Sequence, residues 1–235
     1  MMSDLDDAIL QARFDENVHV VVLRGAGEKF FCAGANINML QKADPVFKYY
    51  FCLHANETLS RLEQAPKLTI PAINGHCVGG GLEYAMACDL RIARKGGGKI
   101  GLPEVSLGVL PGTGGTQRLA RLVGKSKSIE IMTEGRNFEF DEAVQLGIVN
   151  KIFEGANADE FMRKVYDYAR QFCPPHKASM AVGHIKRCVQ SGTEVPFEYG
   201  LALERELQSL LFKSTDAKEG IAANVEKRMA TFKAE

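Results

Sequence analysis

Apolar residues fall in short unbroken blocks through the first two thirds of the chain and in helical spacing through the last third. Val20-Val-Val-Leu23 sits between His19 and Arg24, so residues 19–24 predict a buried strand. Residues 46–64 carry the wider spacing of a helix. Leu68–Ile73 predicts a second buried strand, which runs on toward the glycines at 79–81, with a helix over 82–87 and a further strand over 90–93. Gly96-Gly-Gly98 marks a loop tip, where glycine supplies turns that other residues resist. Residues 116–123 and 141–146 read as helices, the second stopped by Gly147. At the start of the chain, Leu5, Ile9 and Leu10 share one face of an amphipathic helix, with Ser3 placed to cap it.

From Asp159 onward the pattern is helical, broken at Pro174-Pro175 and near residues 192–196. An α/β core over 1–155 and a helical C-terminal region over 156–235 follow from that change of period. The segment from Phe197 to Phe212, with Leu201, Leu203, Leu207, Leu210 and Leu211, has enough apolar surface to pack between subunits. It fits closure of the chain's own core equally well.

Candidate chemistry gathers where the second apolar block meets glycine. In Pro71-Ala-Ile-Asn-Gly-His-Cys-Val-Gly-Gly-Gly-Leu-Glu83, three glycines precede a helix that carries a carboxylate in its first turn. Glycine lets backbone approach a ligand closely, and a helix start leaves N–H groups without intrahelical partners. Such a place suits an anion or a developing oxyanion, and Glu83 is near enough to move protons. A turn that serves only close packing accounts for the same residues. Two other segments add to the first. Phe30-Phe-Cys-Ala-Gly-Ala-Asn-Ile37 again puts small residues where a backbone N–H can be presented, and Ile100–Leu119 contains a second isolated carboxylate, Glu104, after Pro103.

These pieces carry a resemblance. Cys-Ala-Gly-Ala-Asn-Ile (32–37), Asn-Gly-His-Cys-Val-Gly-Gly-Gly-Leu-Glu (74–83), Leu-Pro-Glu-Val (102–105) and Pro-Gly-Thr-Gly-Gly-Thr-Gln-Arg-Leu (111–119) occur in the order found in the crotonase family. The chain resembles most closely that family's short-chain enoyl-CoA hydratases, over essentially its whole length. The resemblance implies a crotonase-like α/β fold with a ββα spiral core and a helical C-terminal oligomerisation region. It also implies homotrimers, often paired into hexamers. Family members carry an earlier strand and an Asn-Ala-Leu-like turn ahead of the first helix here. The comparison implies that this stretch, which helps to form the coenzyme A pocket, is missing.

The implied reaction adds water across the 2,3 double bond of an acyl-CoA thioester. By resemblance, the backbone N–H groups of Ala35 and Gly80 form the oxyanion hole, Glu83 orients water, and Glu104 is the main acid–base residue. Two carboxylates facing one apolar pocket should repel, and burial adds to the effect, so at least one pKa is expected to rise. Ala33, Gly34, Asn36, Ile37, Asn38 and Gly79 would line the path of the coenzyme. Asn36 stands where aspartate is common and should cap a following helix equally well. Lys227 resembles a C-terminal lysine near the coenzyme's phosphates, and an exposed lysine with no ligand is the alternative. The isomerases of the family manage with a single acid–base residue, so the presence of Glu83 favours hydration. An enoyl-CoA isomerase and a non-catalytic acyl-CoA-binding or assembly subunit are the competing functions. No metal or redox cofactor is expected, coenzyme A being part of the substrate.

Composition narrows the partners. Lys plus Arg equals Asp plus Glu at 29 each, so no net charge draws the chain to nucleic acid or a membrane surface. The basic residues Arg118, Arg121, Lys125 and Lys127 read as a solvated helix face rather than a nucleic-acid stripe. No apolar run approaches the roughly 20 residues of a membrane-spanning helix. Leu119-Ala-Arg-Leu-Val-Gly-Lys-Ser126 lacks the first glycine of a phosphate loop, and His76, Cys77 and Cys88 do not match a zinc spacing. The six scattered cysteines point to reduced thiols and a cytoplasmic setting, with an organellar matrix after leader removal equally compatible.

Overall fold

A computed structural model describes residues 2–235. The chain divides into two compact units. One holds the described residues up to Asp7 together with 22–63 and 69–165, and the other holds 8–21, 64–68 and 166–235.

In chain order the elements begin α1 (Met2–Phe14), β1 (Val20–Arg24), β2 (Phe30–Cys32), α2 (Ile37–Gln41) and α3 (Pro45–Glu63). They continue with β3 (Leu68–Ile73), β4 (His76–Val78), α4 (Gly80–Met86), β5 (Ile92–Arg94), β6 (Lys99–Gly101) and a 3₁₀ turn at Glu104–Leu107. Then come α5 (Gly115–Val123), α6 (Lys125–Glu134), β7 (Phe138–Glu139), α7 (Phe140–Gln145) and β8 (Lys151–Phe153). Four helices close the chain: α8 (Ala158–Arg170), α9 (Ser179–Gly192), α10 (Phe197–Leu211) and α11 (Thr215–Val225).

Two sheets share these strands in alternation. One has the order β1-β3-β5-β8 and the other β2-β4-β6-β7. Strands β1 to β6 go alternately to the two sheets, and the order is reversed for the last pair, β7 joining β6 and β8 joining β5. The pairs β3–β5, β5–β8, β2–β4 and β4–β6 are parallel, whereas β7 joins β6 antiparallel. This is the expected crotonase-like ββα architecture. All six residues of β3 are buried, which explains its unbroken apolar run, since a parallel strand covered on both faces has no polar side. The core packs Ile73, Leu82, Ile100, Leu119, Phe138 and Phe140 against one another.

Three expectations are corrected here. The block that seemed to run straight into the glycines is two strands, because Asn74-Gly75 turns the chain from β3 into β4 of the other sheet. Ser3 does not cap α1, which already includes Met2, where the Tyr84 hydroxyl donates to the methionine sulfur at 2.6 Å. The C-terminal stretch is not helical to its end. Beyond α11 the chain is tied back onto that helix, with Asp216 accepting from the N–H groups of Lys233 and Ala234 at 2.8 and 2.9 Å.

Asn74 is the brace at the crossing point. It is fully buried. Its Oδ1 accepts from Gly25 N at 2.9 Å and its Nδ2 donates to Gly27 O at 2.8 Å, which holds the loop after β1 to the turn between the sheets. Asn74→Ala would leave the buried Gly25 N–H without its partner, at about 1–3 kcal/mol, while water can reach the exposed Gly27 carbonyl. We expect denaturant melts of that variant to show a loss in this range, whereas an unchanged midpoint would mean that the loop has other anchors.

Candidate active site

The centre of the site is the step from β4 into α4. Gly79 has φ of +58°, a left-handed conformation that suits glycine, and a Cβ there would stand 2.9 Å from Glu104 Oε1. A Cβ on Gly80 would stand 3.3 Å from the Gly34 Cα, 3.8 Å from Glu83 Oε2 and 3.9 Å from Ala35 N. The loop after β2 and the start of α4 therefore meet glycine to glycine, with both proposed oxyanion donors and both carboxylates around one small space. Among the described residues, no hydrogen bond uses the N–H of Ala35 or Gly80.

Glu83 is 2% exposed and points from α4 toward the turn that starts α5. Its Oε1 accepts from Thr113 N at 2.8 Å and Gly115 N at 2.7 Å, and its Oε2 accepts from the Thr113 hydroxyl. A carboxylate offers about four lone-pair positions. Both on Oε1 are filled, leaving one on Oε2, the oxygen nearer to Gly80. The residue is thus fixed, with a single acceptor position left for a small polar molecule.

Glu104 is held differently. It opens the 3₁₀ turn after β6, which Gly108 ends in a left-handed conformation. Its Oε2 is buried and has no hydrogen-bond partner among the described residues. Burial pushes its pKa up to about 7, opposed by its own backbone N–H and helped by the Glu83 carboxylate, while Lys48 pulls the other way. The rise expected of paired carboxylates is present in Glu104, with desolvation ahead of repulsion as the cause. A group poised near neutrality can give or take a proton at physiological pH.

Of the other residues singled out in the sequence, Gly34 and Ala35 are half-buried at the site, and Ala33, Asn36, Ile37 and Asn38 lie exposed beside it. Asn36 caps α2, its Oδ1 accepting from Asn38 N at 2.9 Å and Met39 N at 3.3 Å. Lys227 belongs to the other unit, exposed and just beyond α11. Sequence reasoning missed Thr113 and Gly115 as the partners of Glu83. Their signal was the run Pro111–Gly115, whose glycines mark a tight backbone approach without naming its target. A groove of about 520 Å³, lined by Lys48, Tyr49, Cys52, Leu53, Val109 and Leu110, lies between α3 and the segment leading to Thr113. Arg118 departs from the solvated face expected of it and is ion-paired with Glu63 at 2.9 Å.

Comparison with known proteins identifies the family. The pattern that describes the enoyl-CoA hydratase/isomerase family matches residues 1–235. The chain is 37% identical to the short-chain-enoyl-CoA hydratase of Clostridium acetobutylicum over 227 residues, covering 97% of this chain and 85% of that protein. It is 34% identical to the crotonyl-CoA hydratase of Syntrophomonas wolfei, covering 97% of this chain and 86% of that protein. Among solved structures, an enoyl-CoA hydratase from Geobacillus kaustophilus superposes with a TM-score of 0.94 at 46% identity, covering 100% of this chain and 87% of that one. With a match over its whole length, two curated relatives above 30% identity and a solved structure of the same fold, the chain belongs to the enoyl-CoA hydratase/isomerase family.

Proposed function

We propose that this chain adds water across the 2,3 double bond of a 2-enoyl-CoA thioester to give the 3-hydroxyacyl-CoA. The observation that carries this reading is the meeting of two unlike carboxylates at one glycine turn: Glu83 immobilised with one acceptor position left, and Glu104 half-buried with an unpartnered oxygen and a pKa of about 7. The relatives named short-chain-enoyl-CoA hydratase and crotonyl-CoA hydratase support the same substrate class.

In this scheme the thioester oxygen lies between the N–H groups of Ala35 and Gly80. Conjugate addition places negative charge on that oxygen, and each such donor is worth about 2.7–4 kcal/mol in comparable sites. Glu83 holds water through its remaining lone pair and accepts a proton as the oxygen bonds to C3. Glu104, protonated at the start, delivers a proton to C2. Water thus contributes its hydroxyl, the acid contributes hydrogen, and the two carboxyl groups return to their starting states by exchange with solvent. Charge is handled throughout by carboxylates and backbone dipoles, so the scheme calls for no metal or redox group. The coenzyme would run past Ala33, Gly34, Asn36, Ile37, Asn38 and Gly79, with Lys227 assigned to its phosphates.

Assembly and location form part of the proposal. Ile185, Val189 and Phe212 are exposed at 64%, 60% and 58% along a groove of α9 and α10, a face suited to packing in a homotrimer or a pair of trimers. We assign the region from residue 156 onward to that oligomerisation role. Among the described residues no helix is long and apolar enough to cross a membrane, and the six cysteines are unbridged, which fits a reducing compartment such as the cytoplasm.

Two experiments test the chemistry. Loss of enoyl-thioester absorbance with crotonyl-CoA should slow by about 10²–10⁴-fold in Glu104→Gln, which cannot donate a carboxyl proton. In the native protein, hydration needs the protonated acid, so kcat/KM should fall as pH rises through about 7. The reaction takes up no net proton, so its equilibrium is independent of pH and kcat/KM for dehydration of 3-hydroxybutyryl-CoA should fall over the same range. A hydration kcat/KM that does not fall as pH rises through about 7 would remove Glu104 from the acid–base role. Separately, Gly80→Ala keeps the N–H but puts a methyl between Ala35 N and Glu83. It should cost on the order of 10²-fold in kcat/KM. A folded Gly80→Ala protein with native kinetics would place the thioester elsewhere.

A further inference from the structure

We propose that Arg118 and Glu63 are positioning residues that fix Glu83 through the Thr113 peptide, a role that rests on reading Glu83 as the water-holding carboxylate. Arg118 lies one turn into α5, and its side chain folds back over the start of that helix. Its Nη1 donates to Thr113 O at 3.2 Å. Its Nε and Nη2 donate to the two oxygens of Glu63, the last residue of α3, at 3.2 and 2.9 Å. This planar two-point fork is available to arginine and not to lysine. The guanidinium side chain is 12% exposed and the carboxylate side chain 34%, so the pair is partly shielded from solvent.

The position of the guanidinium is unusual on electrostatic grounds. A cation near a helix N-terminus opposes the helix dipole, and Glu63 supplies the compensating charge. The turn is shaped to admit it. Gly114 has φ of +106°, and a Cβ there would stand 2.1 Å from Arg118 Nη1. Arg118 thus fills the place that a side chain at 114 would need.

What the guanidinium restrains is the peptide between the two donors of Glu83. Thr113 N and Gly115 N both donate to Glu83 Oε1, and the Thr113 hydroxyl donates to Oε2. The peptide plane that carries Thr113 O lies between those two N–H groups, and a planar peptide leaves only a few soft torsions on either side. Holding that carbonyl fixes the direction of both N–H groups, and through them the free lone pair of Glu83. Release of the carbonyl lets the turn relax and moves the water away from C3.

The test is a double-variant cycle on crotonyl-CoA hydration, using Arg118→Lys, Glu63→Gln, Glu83→Gln and the combination of Arg118→Lys with Glu83→Gln. Folding is checked for each by circular dichroism and thermal melting. Arg118→Lys should lower kcat by on the order of 10–100-fold with KM within about 3-fold of native, since a misplacement near 1 Å can cost about 10²-fold. Glu63→Gln, which keeps shape and loses charge, should lower kcat in the same direction by less. The combined variant should be no slower than Glu83→Gln alone, because a residue acting through another adds nothing once that one is gone. Losses that multiply in the combined variant, or a folded Arg118→Lys with native kcat, would overturn the proposal while leaving Glu83 in its role. Native kcat in Glu83→Gln would overturn both.

Discussion

A carboxylate that is 2% exposed must be satisfied from within the protein, and Glu83 is satisfied entirely by one turn distant in sequence. Removing a charge from water without partners costs several kcal/mol, so α4 and the start of α5 are bound to each other by necessity rather than by apolar contact alone. The rest of the site depends on that constraint. With Glu83 anchored, α4 is fixed in rotation, and its first residues Gly79 and Gly80 then face the loop that carries Gly34 and Ala35. The alternating assignment of strands to two sheets brings these segments to one place, since β2 and β4 are neighbours in the same sheet and each is followed by one half of the glycine contact.

The two carboxylates illustrate how environment assigns roles to one residue type. Glu83 has three donors and little freedom, which suits a group that must hold a water molecule in a single direction. Glu104 has a buried oxygen with no donor, and the resulting desolvation lifts its pKa to about 7. Exchanging the donors between them would weaken both functions. A fully hydrogen-bonded carboxylate is held ionised and makes a poor acid, while an unanchored one makes a poor template. The same shift has a thermodynamic side. The raised pKa of Glu104 favours the folded state most below the ordinary carboxylate value of 4.5, and that advantage is lost as pH rises through about 7. Keeping a proton-transfer group tuned to neutrality therefore works against stability at the pH where it operates.

Much of this was legible in the amino-acid order. The strand at 68–73 announces itself because a buried parallel strand needs no polar face, whereas the strand at 20–24, expected to be buried, is half-buried and ends exposed at Arg24; the helix over 45–63 matches its spacing within a residue at each end. Glu83 and Glu104 stand out because an isolated carboxylate inside apolar sequence calls for an explanation. What stayed hidden shares one physical cause. Strands β2 and β4 have three residues each, too short for alternation to show. Thr113 and Gly115 act across thirty or more positions through backbone groups that composition does not distinguish, and Arg118 reaches Glu63 across an even longer separation. Arg118 was misjudged because helical spacing gives the face of a residue but not the path of a long side chain that folds back over its own helix start. The C-terminal tail was misjudged because its last ten residues follow side-chain acceptors on α11 rather than any local propensity.

In the proposed scheme, specificity and catalysis have different physical origins. The proposed catalytic groups are held by backbone donors and glycine contacts, which accept few side-chain changes. The groove beside them is lined instead by side chains of α3 and the 109–112 segment, with Tyr49 and Leu110 largely exposed. Substitutions there alter shape and polarity without touching the hydrogen bonds of Glu83. Lys48 connects the two regimes: it lines the groove, and its charge also acts on Glu104, lowering a pKa that burial raises. An acyl group lying over Lys48 would strengthen the pull of that cation while adding to the desolvation of the carboxyl, so the fit of the substrate's tail and the protonation of Glu104 are physically coupled.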